Sequence, residues 1–342
     1  MNTRYNLIVA ATLTIVFMGG TGLVYFDLDD SSGFGELTAE QDQTHFAGEA
    51  ISPLPLSIKL DNRKVTLGER LFKDPIISGD GSISCAHCHN LTTGGVDRQI
   101  RSRGIGGKEG GINAPTVFNS GFNFRQFWNG RATTLEDQID GPLQHPAEMG
   151  SNWPKAITAL SNDPQYRSEF SEIYSDGIQS LNVKDAIATF ERSLITPNSR
   201  FDRFLRGDKT ALNEQEMAGY LLFKQFGCIS CHQGMNIGGN MFQKLGVMED
   251  YFAARGNLTD ADLGRFSVTK KDRDLHFFKV PSLRNVAVTP PYLHDGTANK
   301  LEDVVKVMAR FQLGKKIDGD EVNKIVSFLR TLTGEYKGKT LE

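Results

Sequence analysis

The chain has 342 residues and a formal net charge of −3, with 39% hydrophobic and 23% charged residues. A charge this close to zero argues against a nucleic-acid-binding protein, because such proteins need a basic surface. The length suits two or three domains, each large enough to bury its own core.

An uncharged apolar segment, residues 5–26, follows Arg4 near the start of the chain. It is long enough to cross a bilayer as a helix and longer than the core of a typical signal peptide. No clear A-x-A cleavage site stands before Asp27, so we predict that residues 1–26 are a retained signal anchor, with a cleaved signal peptide as the alternative. Either segment would send the rest of the chain out of the cytoplasm, which in a bacterium means the periplasm. A retained anchor would hold it at the inner membrane.

Residues 27–52 are rich in Asp, Glu, Gln, Ser and Gly and lack apolar periodicity. This composition predicts a solvated linker.

Helical periodicity dominates the rest of the chain, whereas strand-like alternation is scarce. Thr134 and Asn213 are predicted N-caps, and Asp74-Pro75 is expected to end the first helix. We expect helices at residues 65–73, from 135 onward, and at 154–160, 164–174, 183–194, 214–226, 300–311 and 319–333. The pattern predicts an all-α fold with an N-terminal domain at 53–205 and a C-terminal domain at 206–342. The last residues of the chain could pack back on the first domain.

All four cysteines fall into two C-x-x-C-H motifs, CAHCH at residues 85–89 and CISCH at residues 228–232. In the attachment signal of a c-type haem, two thiols bind the porphyrin vinyl groups and the histidine ligates the iron. The sequence therefore predicts two cytochrome c-like domains, each with one covalently bound haem c. The attachment residues are Cys85, Cys88 and His89 for the first haem and Cys228, Cys231 and His232 for the second. The triplet Leu-Phe-Lys precedes both motifs, at 71–73 and 222–224.

Two other uses of the cysteines are conceivable. Four thiols could bind a structural zinc ion, but zinc pairs usually lie roughly 12–20 residues apart, far closer than Cys85 and Cys228. Two dithiol redox centres are the other alternative, and they leave the histidine after each pair unexplained.

Segments on both sides of the motifs resemble the bacterial diheme cytochrome c peroxidases, to which the MauG-type diheme enzymes are related. The resemblance runs from about residue 67 to residue 334, with matching segments in the family's order at 84–91, 94–97, 113–119, 126–131, 148–150, 279–285 and 294–296. It implies an enzyme that reduces hydrogen peroxide to water with electrons from a small periplasmic cytochrome c or cupredoxin. It also implies that a homodimer is possible.

The resemblance implies a division of labour between the two haems. Met308 stands where the family has its axial methionine, so the C-terminal haem is expected to have His232/Met308 ligation and to accept the electrons. Met308 also lies on an apolar helical face with Leu301 and Val305, so a core methionine is the alternative interpretation. The N-terminal haem, held by His89, would keep a position open for peroxide.

Three residues resemble the family's peroxide site. Glu148, twenty residues after Trp128, matches the catalytic glutamate that moves a proton between the peroxide oxygens. Gln138 resembles a second polar residue of that pocket, and Trp128 resembles the tryptophan between the haems. A solvated surface glutamate and a core tryptophan are the alternative interpretations.

The resemblance also implies one calcium ion between the domains, bound by Asn113 and the backbone carbonyls of Thr289 and Pro291. Oxygen ligands of this kind suit a hard cation. His294, beside these carbonyls, could hydrogen-bond a haem propionate.

The loop at residues 103–111 departs from the family pattern. Many members carry a histidine there that caps the first haem iron at rest, but none of the seven histidines of this chain lies in it. We therefore expect no histidine cap and an enzyme that is active without prior reduction. His145, three residues before Glu148, is the nearest alternative cap.

Three functions compete on this sequence. The first is the peroxidase, and the second is a MauG-like oxidase of a partner protein, in which tyrosine replaces the methionine found here at Met308. The third is a non-catalytic electron carrier, against which Glu148 and the open first haem argue.

Overall fold

The computed structural model describes residues 49–342. The predicted anchor or signal peptide and most of the predicted linker lie outside these residues. Among the residues described, no helix combines the length and the apolar character needed to cross a membrane.

The first half of the structure consists of six helices and their connections. They are α1 (Asn62–Lys73), α2 (Cys85–Cys88), α3 (Leu135–Gln144), α4 (Trp153–Asn162), α5 (Pro164–Ile173) and α6 (Ser180–Ser193). Asp61 caps α1, and Thr134 forms a reciprocal capping box with Asp137 at the start of α3. Side-chain caps of this kind satisfy backbone N–H groups that lack a partner in the first turn.

The second half contains six further helices. They are α7 (Arg200–Leu205), α8 (Glu214–Gln225), α9 (Tyr251–Arg255), α10 (Phe266–Thr269), α11 (Leu301–Val307) and α12 (Gly319–Arg330). A π-helical turn, Met308–Gln312, continues α11. The predicted helices are confirmed, with ends shifted by at most four residues.

The prediction of an all-α fold is corrected, because the structure is mostly helical but also contains two short antiparallel strand pairs. Strand β1 (Phe242–Lys244) pairs with β2 (Phe277–Lys279), and β3 (Glu335–Tyr336) pairs with β4 (Lys339–Thr340). Strands of two or three residues are too short to show the alternation that would reveal them in the sequence.

Each half has its own apolar core. However, Ile51 packs in the core of the second half, and Leu341 packs in the core of the first half. Ile51 is fully buried in the second core, and the Ala50 carbonyl accepts a hydrogen bond from Gly234 N–H at 2.8 Å. Leu341, near the C-terminus, is buried in the first core. Ile51 is therefore not solvated, although Glu49 and Ala50 are exposed. This burial corrects the end of the predicted linker, because an apolar side chain there packs into the second core.

Helix α7 also bears on the predicted domain boundary at 205/206. Its Phe201 and Leu205 are buried in the second core. The boundary drawn from the sequence therefore falls after a helix whose apolar side chains pack with the second half.

The same helix crossing builds both cores. A side chain at Gly68 of α1 would come within 2.0 Å of the Ala186 carbonyl on α6, and one at Gly219 of α8 within 1.9 Å of the Lys324 carbonyl on α12. Aromatic contacts accompany each crossing. Between ring centroids, Phe72 lies 5.3 Å from Phe190 in the first half, and Tyr220 and Phe223 lie 5.1 Å and 5.2 Å from Phe328 in the second. Only glycine permits these backbones to approach so closely.

A second internal repeat aligns residues 113–142 with residues 279–308 without a gap. Helices α3 and α11 begin at equivalent positions, both marked by Leu-Glu-Asp. Three pairs of residues have matching positive φ angles of 61–68°: Asn119 and Asn285, Phe127 and Leu293, and Gly130 and Gly296. Isolated strand bridges also correspond, Gln126 with Ala132 and Tyr292 with Ala298. The two halves therefore share a local backbone path as well as a core.

Candidate functional site

The two C-x-x-C-H motifs lie one in each half, each at the end of a short helical turn against its core. The Nδ1 atom of His89 lies 3.4 Å from the Gly95 carbonyl, and that of His232 lies 3.3 Å from the Ile237 carbonyl. A hydrogen bond from Nδ1–H to a carbonyl leaves Nε2 free to ligate a metal. Burial lowers the pKa of both imidazoles, that of His232 to about 4, so both are neutral ligands at neutral pH.

The structure does not support the zinc and dithiol alternatives. The single cluster of possible metal-binding side chains found among residues 49–342 contains no cysteine. Burial raises the pKa of Cys85 to about 12 and that of Cys88 and Cys228 to about 11. Redox-active thiols have a lowered pKa instead. The cysteines and histidines therefore fit two covalent haem groups better than zinc or a dithiol centre.

A cavity lined by residues of both halves, mainly those of the second, contains the second motif. His232, Cys228 and Cys231 line it together with Met308, and most of the remaining lining is aliphatic or aromatic. Met308 is the first residue of the π-helical turn that follows α11. The residues fit a haem with its ring in an apolar cavity and one ligand from each of two distant segments.

Glu148 lies beside the first motif. Burial raises the pKa of Cys88, and the Glu148 carboxylate adds to that effect, so the carboxylate is close to the first haem attachment site. Burial lowers the pKa of Arg131 and Glu148 opposes this change, so a guanidinium lies near as well. The Glu148 side chain is 36% exposed, and its Oε1 atom is 3.6 Å from Nδ1 of His145. Glu148 therefore provides a partly exposed carboxylate near the first motif.

His145 is the C-cap of α3, and its ring faces its own loop. Its Nδ1 atom accepts a hydrogen bond from Ala147 N–H at 3.2 Å. The ring is exposed, and the structure gives it no contact with His89. The geometry therefore provides no support for His145 as a cap.

The repeat identifies Pro142 as a residue that the sequence interpretation missed. Pro142 lies inside α3 at the position equivalent to Met308. Proline has no side-chain atom that can ligate iron. Gln138 lies one turn earlier on the same helix, half-buried, and its side chain makes no hydrogen bond with any residue in 49–342. A comparison of residues 113–142 with 279–308 could have revealed Pro142 from the sequence.

The loop without a histidine is fixed to the Glu148 segment. Ile105 N–H donates to the Glu148 carbonyl at 2.8 Å, and Lys108 Nζ donates to the Pro146 carbonyl at 3.2 Å. A side chain at Gly104 would lie 2.3 Å from the Ala147 carbonyl. The loop is therefore held in place against the segment that carries Glu148.

Trp128 lies where the two halves meet and lines the cavity of the second half. Its indole N–H donates to the Asn113 carbonyl at 3.0 Å, and its ring centroid is 6.4 Å from that of His294. Trp128 and His294 occupy equivalent positions of the repeat, as do Asn113 and Lys279. Asn113 N–H donates to His294 O at 2.9 Å, and Lys279 N–H donates to Trp128 O at 2.8 Å. The halves thus exchange equivalent hydrogen bonds.

The three oxygens proposed for calcium border the same cavity. The Asn113 amide nitrogen donates to the Gln99 and Ile100 carbonyls, which leaves its Oδ1 atom available. Neither Oδ1 nor the carbonyls of Thr289 and Pro291 accept a hydrogen bond from a described residue. Unpaired oxygens of this kind fit a hard cation.

His294 belongs to a buried ionic network that the sequence did not indicate. Its Nε2 atom lies 2.7 Å from Asp262, and Arg255 bridges Asp262 at 2.7 Å to Asp295. Burial alone would raise the pKa of Asp262. Hydrogen bonds from Arg255, Thr259 and His294 have the larger, opposite effect, so the pKa of Asp262 is lowered. The carboxylate of Asp262 stays ionised and orients the His294 ring.

Comparisons with known proteins agree with this geometry. Residues 62–210 match the family of di-haem cytochrome c peroxidases. The cytochrome c peroxidase Ccp of Escherichia coli K12 is 50% identical over 289 residues, which are 84% of this chain and 62% of that longer protein. The cytochrome c551 peroxidase of Nitrosomonas europaea is 45% identical over 290 residues, covering 84% of this chain and 85% of that one.

A solved structure shares the fold. It is a MauG-like protein associated with microbial copper homeostasis, 26% identical, with a TM-score of 0.72 over 83% of this chain and 93% of that one.

Proposed function

The chain belongs to the di-haem cytochrome c peroxidase family and is an enzyme of that class; from this premise we propose that its first half reduces hydrogen peroxide and its second half receives the electrons. The donor is a small cytochrome c or a cupredoxin, and the compartment is the periplasm. Haem attachment by C-x-x-C-H motifs supports that compartment, while the membrane anchor and a homodimer remain predictions.

The family implies two haem c groups, held here through Cys85, Cys88 and His89 and through Cys228, Cys231 and His232. When bound, they supply the iron that binds peroxide and the redox centre that stores an electron. Everything else in the reaction depends on side chains of this chain.

One observation carries the division of labour: Pro142 occupies the position in the first half that Met308 occupies in the second. A thioether can complete a closed His232/Met308 ligand pair, which raises the reduction potential and suits electron entry. Proline offers no such ligand, so a haem held by His89 would keep an iron position available to a small oxidant.

Glu148 is the proposed acid–base residue. Cleavage of the O–O bond requires a proton to leave the near oxygen of the peroxide and reach the leaving oxygen, and a well-placed carboxylate contributes roughly 10²–10⁴ in rate. The proximity of Glu148 to Cys88 and its partial exposure support this role. Arg131 lies near this carboxylate, and Gln138 is proposed to orient peroxide.

Trp128 and the calcium ion are proposed to couple the halves. The indole lies against His294 and borders the cavity that contains His232, so it is the aromatic group available between the two sites. A calcium ion bound by Asn113, Thr289 and Pro291 would fix the same junction, because Trp128 hydrogen-bonds to Asn113.

We also propose that the enzyme is active without prior reduction. The loop at 103–111 contributes no histidine, and its hydrogen bonds to the Glu148 segment fix it in place. No loop movement is then needed to vacate the open position.

The decisive experiment is an electron paramagnetic resonance spectrum of the fully oxidised, as-isolated protein, before and after addition of peroxide. We expect a high-spin ferric signal from the first site that disappears on mixing. Two low-spin signals without a response to peroxide would contradict the open site and reductant-free activity. Steady-state turnover with a reduced small cytochrome c then tests the donor, and peroxide-dependent oxidation of a partner protein without such turnover would favour the MauG-like alternative.

A further inference from the structure

Lys279, the last residue of β2, is a buried lysine without an acidic partner. It is 7% exposed, and its side chain forms no hydrogen bond or ion pair with any residue in 49–342. Burial alone lowers the pKa of Lys279 to about 8. A buried ammonium without a counter-charge is costly, so this position favours an anion, and no residue in 49–342 provides one.

The cavity that Lys279 lines is the one that contains His232 and Met308. Its lining includes Lys244, Lys279 and Arg284 but no Asp or Glu side chain. Arg284 is already paired with the buried Asp202 at 2.7 Å, and Lys244 is exposed. Among residues 49–342, Lys279 is therefore a buried positive charge without a partner in a mostly apolar cavity.

The repeat shows what corresponds to this charge in the first half. Lys279 is equivalent to Asn113, and the two make the equivalent backbone hydrogen bonds to Trp128 and His294. Asn113 has an oxygen available for a cation, whereas Lys279 carries a cation in its own side chain. With the proposed calcium ion bound at Asn113, each half would place a positive charge at the same point of the repeat.

We propose that the Lys279 ammonium binds a carboxylate of the porphyrin in the second cavity and thereby keeps the reduction potential of that haem high. Carboxylates are the anionic groups of a haem, and a c-type haem attached at Cys228 and Cys231 lies in the cavity that Lys279 lines. A fixed positive charge stabilises the reduced iron, which carries one positive charge less than the oxidised iron. This inference rests on the proposed His232/Met308 site and adds its electrostatic control.

The experiment compares the full-length variants Lys279→Met and Lys279→Arg with the matched control Lys271→Met. Lys271 is exposed, lies in the same half, makes no ion pair and does not line the cavity. Haem content per chain and the potential of the second haem are measured by spectroelectrochemical titration. We expect Lys279→Met to lower the equilibrium constant for reduction about tenfold, which corresponds to about 59 mV for one electron, with little change in Lys279→Arg and Lys271→Met.

Each result decides the proposal. An unchanged potential of the second haem in Lys279→Met that carries both haems overturns it. Equal loss of the second haem in both Lys279 variants also overturns it, because haem binding would then depend on the shape of the lysine side chain and not on its charge. Loss of that haem in Lys279→Met with retention in Lys279→Arg supports it. A wild-type potential that shifts with chloride at constant ionic strength would identify a free anion as the partner and overturn it. The methionine-to-iron charge-transfer band of the wild type tests Met308 ligation separately.

Discussion

The two halves of the molecule are built alike, and we propose that they differ in the ligands they offer to a haem iron. Both use a glycine-mediated helix crossing, at Gly68 and at Gly219, and both fix the proximal histidine with a backbone carbonyl. The difference lies at one position of the repeat, where the second half has Met308 and the first has Pro142. A single position of the repeat thus carries the proposed difference between a closed and an open haem site.

A second difference lies at the junction of the halves. The first half contributes Trp128, whose indole makes a neutral hydrogen bond, and the second contributes His294 at the equivalent position, bound to an ionised Asp262. The two backbone positions are therefore equivalent, but their side chains differ: that of Trp128 makes a neutral hydrogen bond, and that of His294 pairs with a carboxylate.

Replacing Pro142 with Met is the strongest way to break the contrast. We expect a thioether at this position to close the first site and to reduce peroxide turnover to background, because the ligand position for peroxide is then filled. The measurement is the loss of the high-spin ferric signal together with the loss of turnover.

Pro142→Ala is the matched control. It removes proline without adding a ligand and is expected to retain both the high-spin signal and turnover. Retained activity in Pro142→Met would show that this position does not face the iron.

Replacing Glu148 with Gln tests the acid–base side of the contrast. We expect kcat to fall by roughly 10²–10⁴, with an unchanged potential at the second haem, because the charge is lost only beside the first site. Rapid-mixing kinetics with peroxide measure the change. Glu172→Gln, an exposed glutamate on α5, is the control, and equal rates for wild type and Glu148→Gln would exclude the assigned role.

Replacing Asp262 with Asn tests the charged network that the first half lacks. Asp262 is 1% exposed and pairs with both Arg255 and His294, and removing one partner of a buried ion pair costs about 3–5 kcal/mol. We expect the free energy of unfolding in urea to fall by that amount. Asp260→Asn, at an exposed position, should change little, and similar stability of both variants would mean that the network is structurally dispensable.

The mildest test compares Gly68→Ala with Gly219→Ala. The added methyl group would meet a carbonyl at 2.0 Å in one half and 1.9 Å in the other, and overpacking of this kind typically costs about 1–3 kcal/mol. We expect similar losses in thermal unfolding experiments. A large loss in one variant and none in the other would show that the two crossings are not energetically equivalent.

Much of this arrangement could be predicted from local sequence signals. The caps at Thr134 and Asn213 and the amphipathic periods located the helices, since these signals act within a few residues. The haem motifs were recognisable because covalent attachment fixes both residue types and their spacing.

Other features depend on contacts between distant residues. The burial of Ile51 in the second core and the pairing of Asp262 with His294 require the fold to bring separate segments together. The isolated charge of Lys279 is likewise visible only once the lining of its cavity is known. Pro142 is the intermediate case. The sequence alone aligns Pro142 with Met308, but only the matching backbone conformation of the two segments shows that the positions are equivalent in the fold.

The crossing between the two cores makes the halves depend on each other. The first core includes Leu341 and the second core includes Ile51. A fragment with residues 53–205 alone would therefore lack Leu341, and a fragment with residues 206–342 alone would lack Ile51. Neither predicted domain, cut at the bounds drawn from the sequence, would retain its full apolar core.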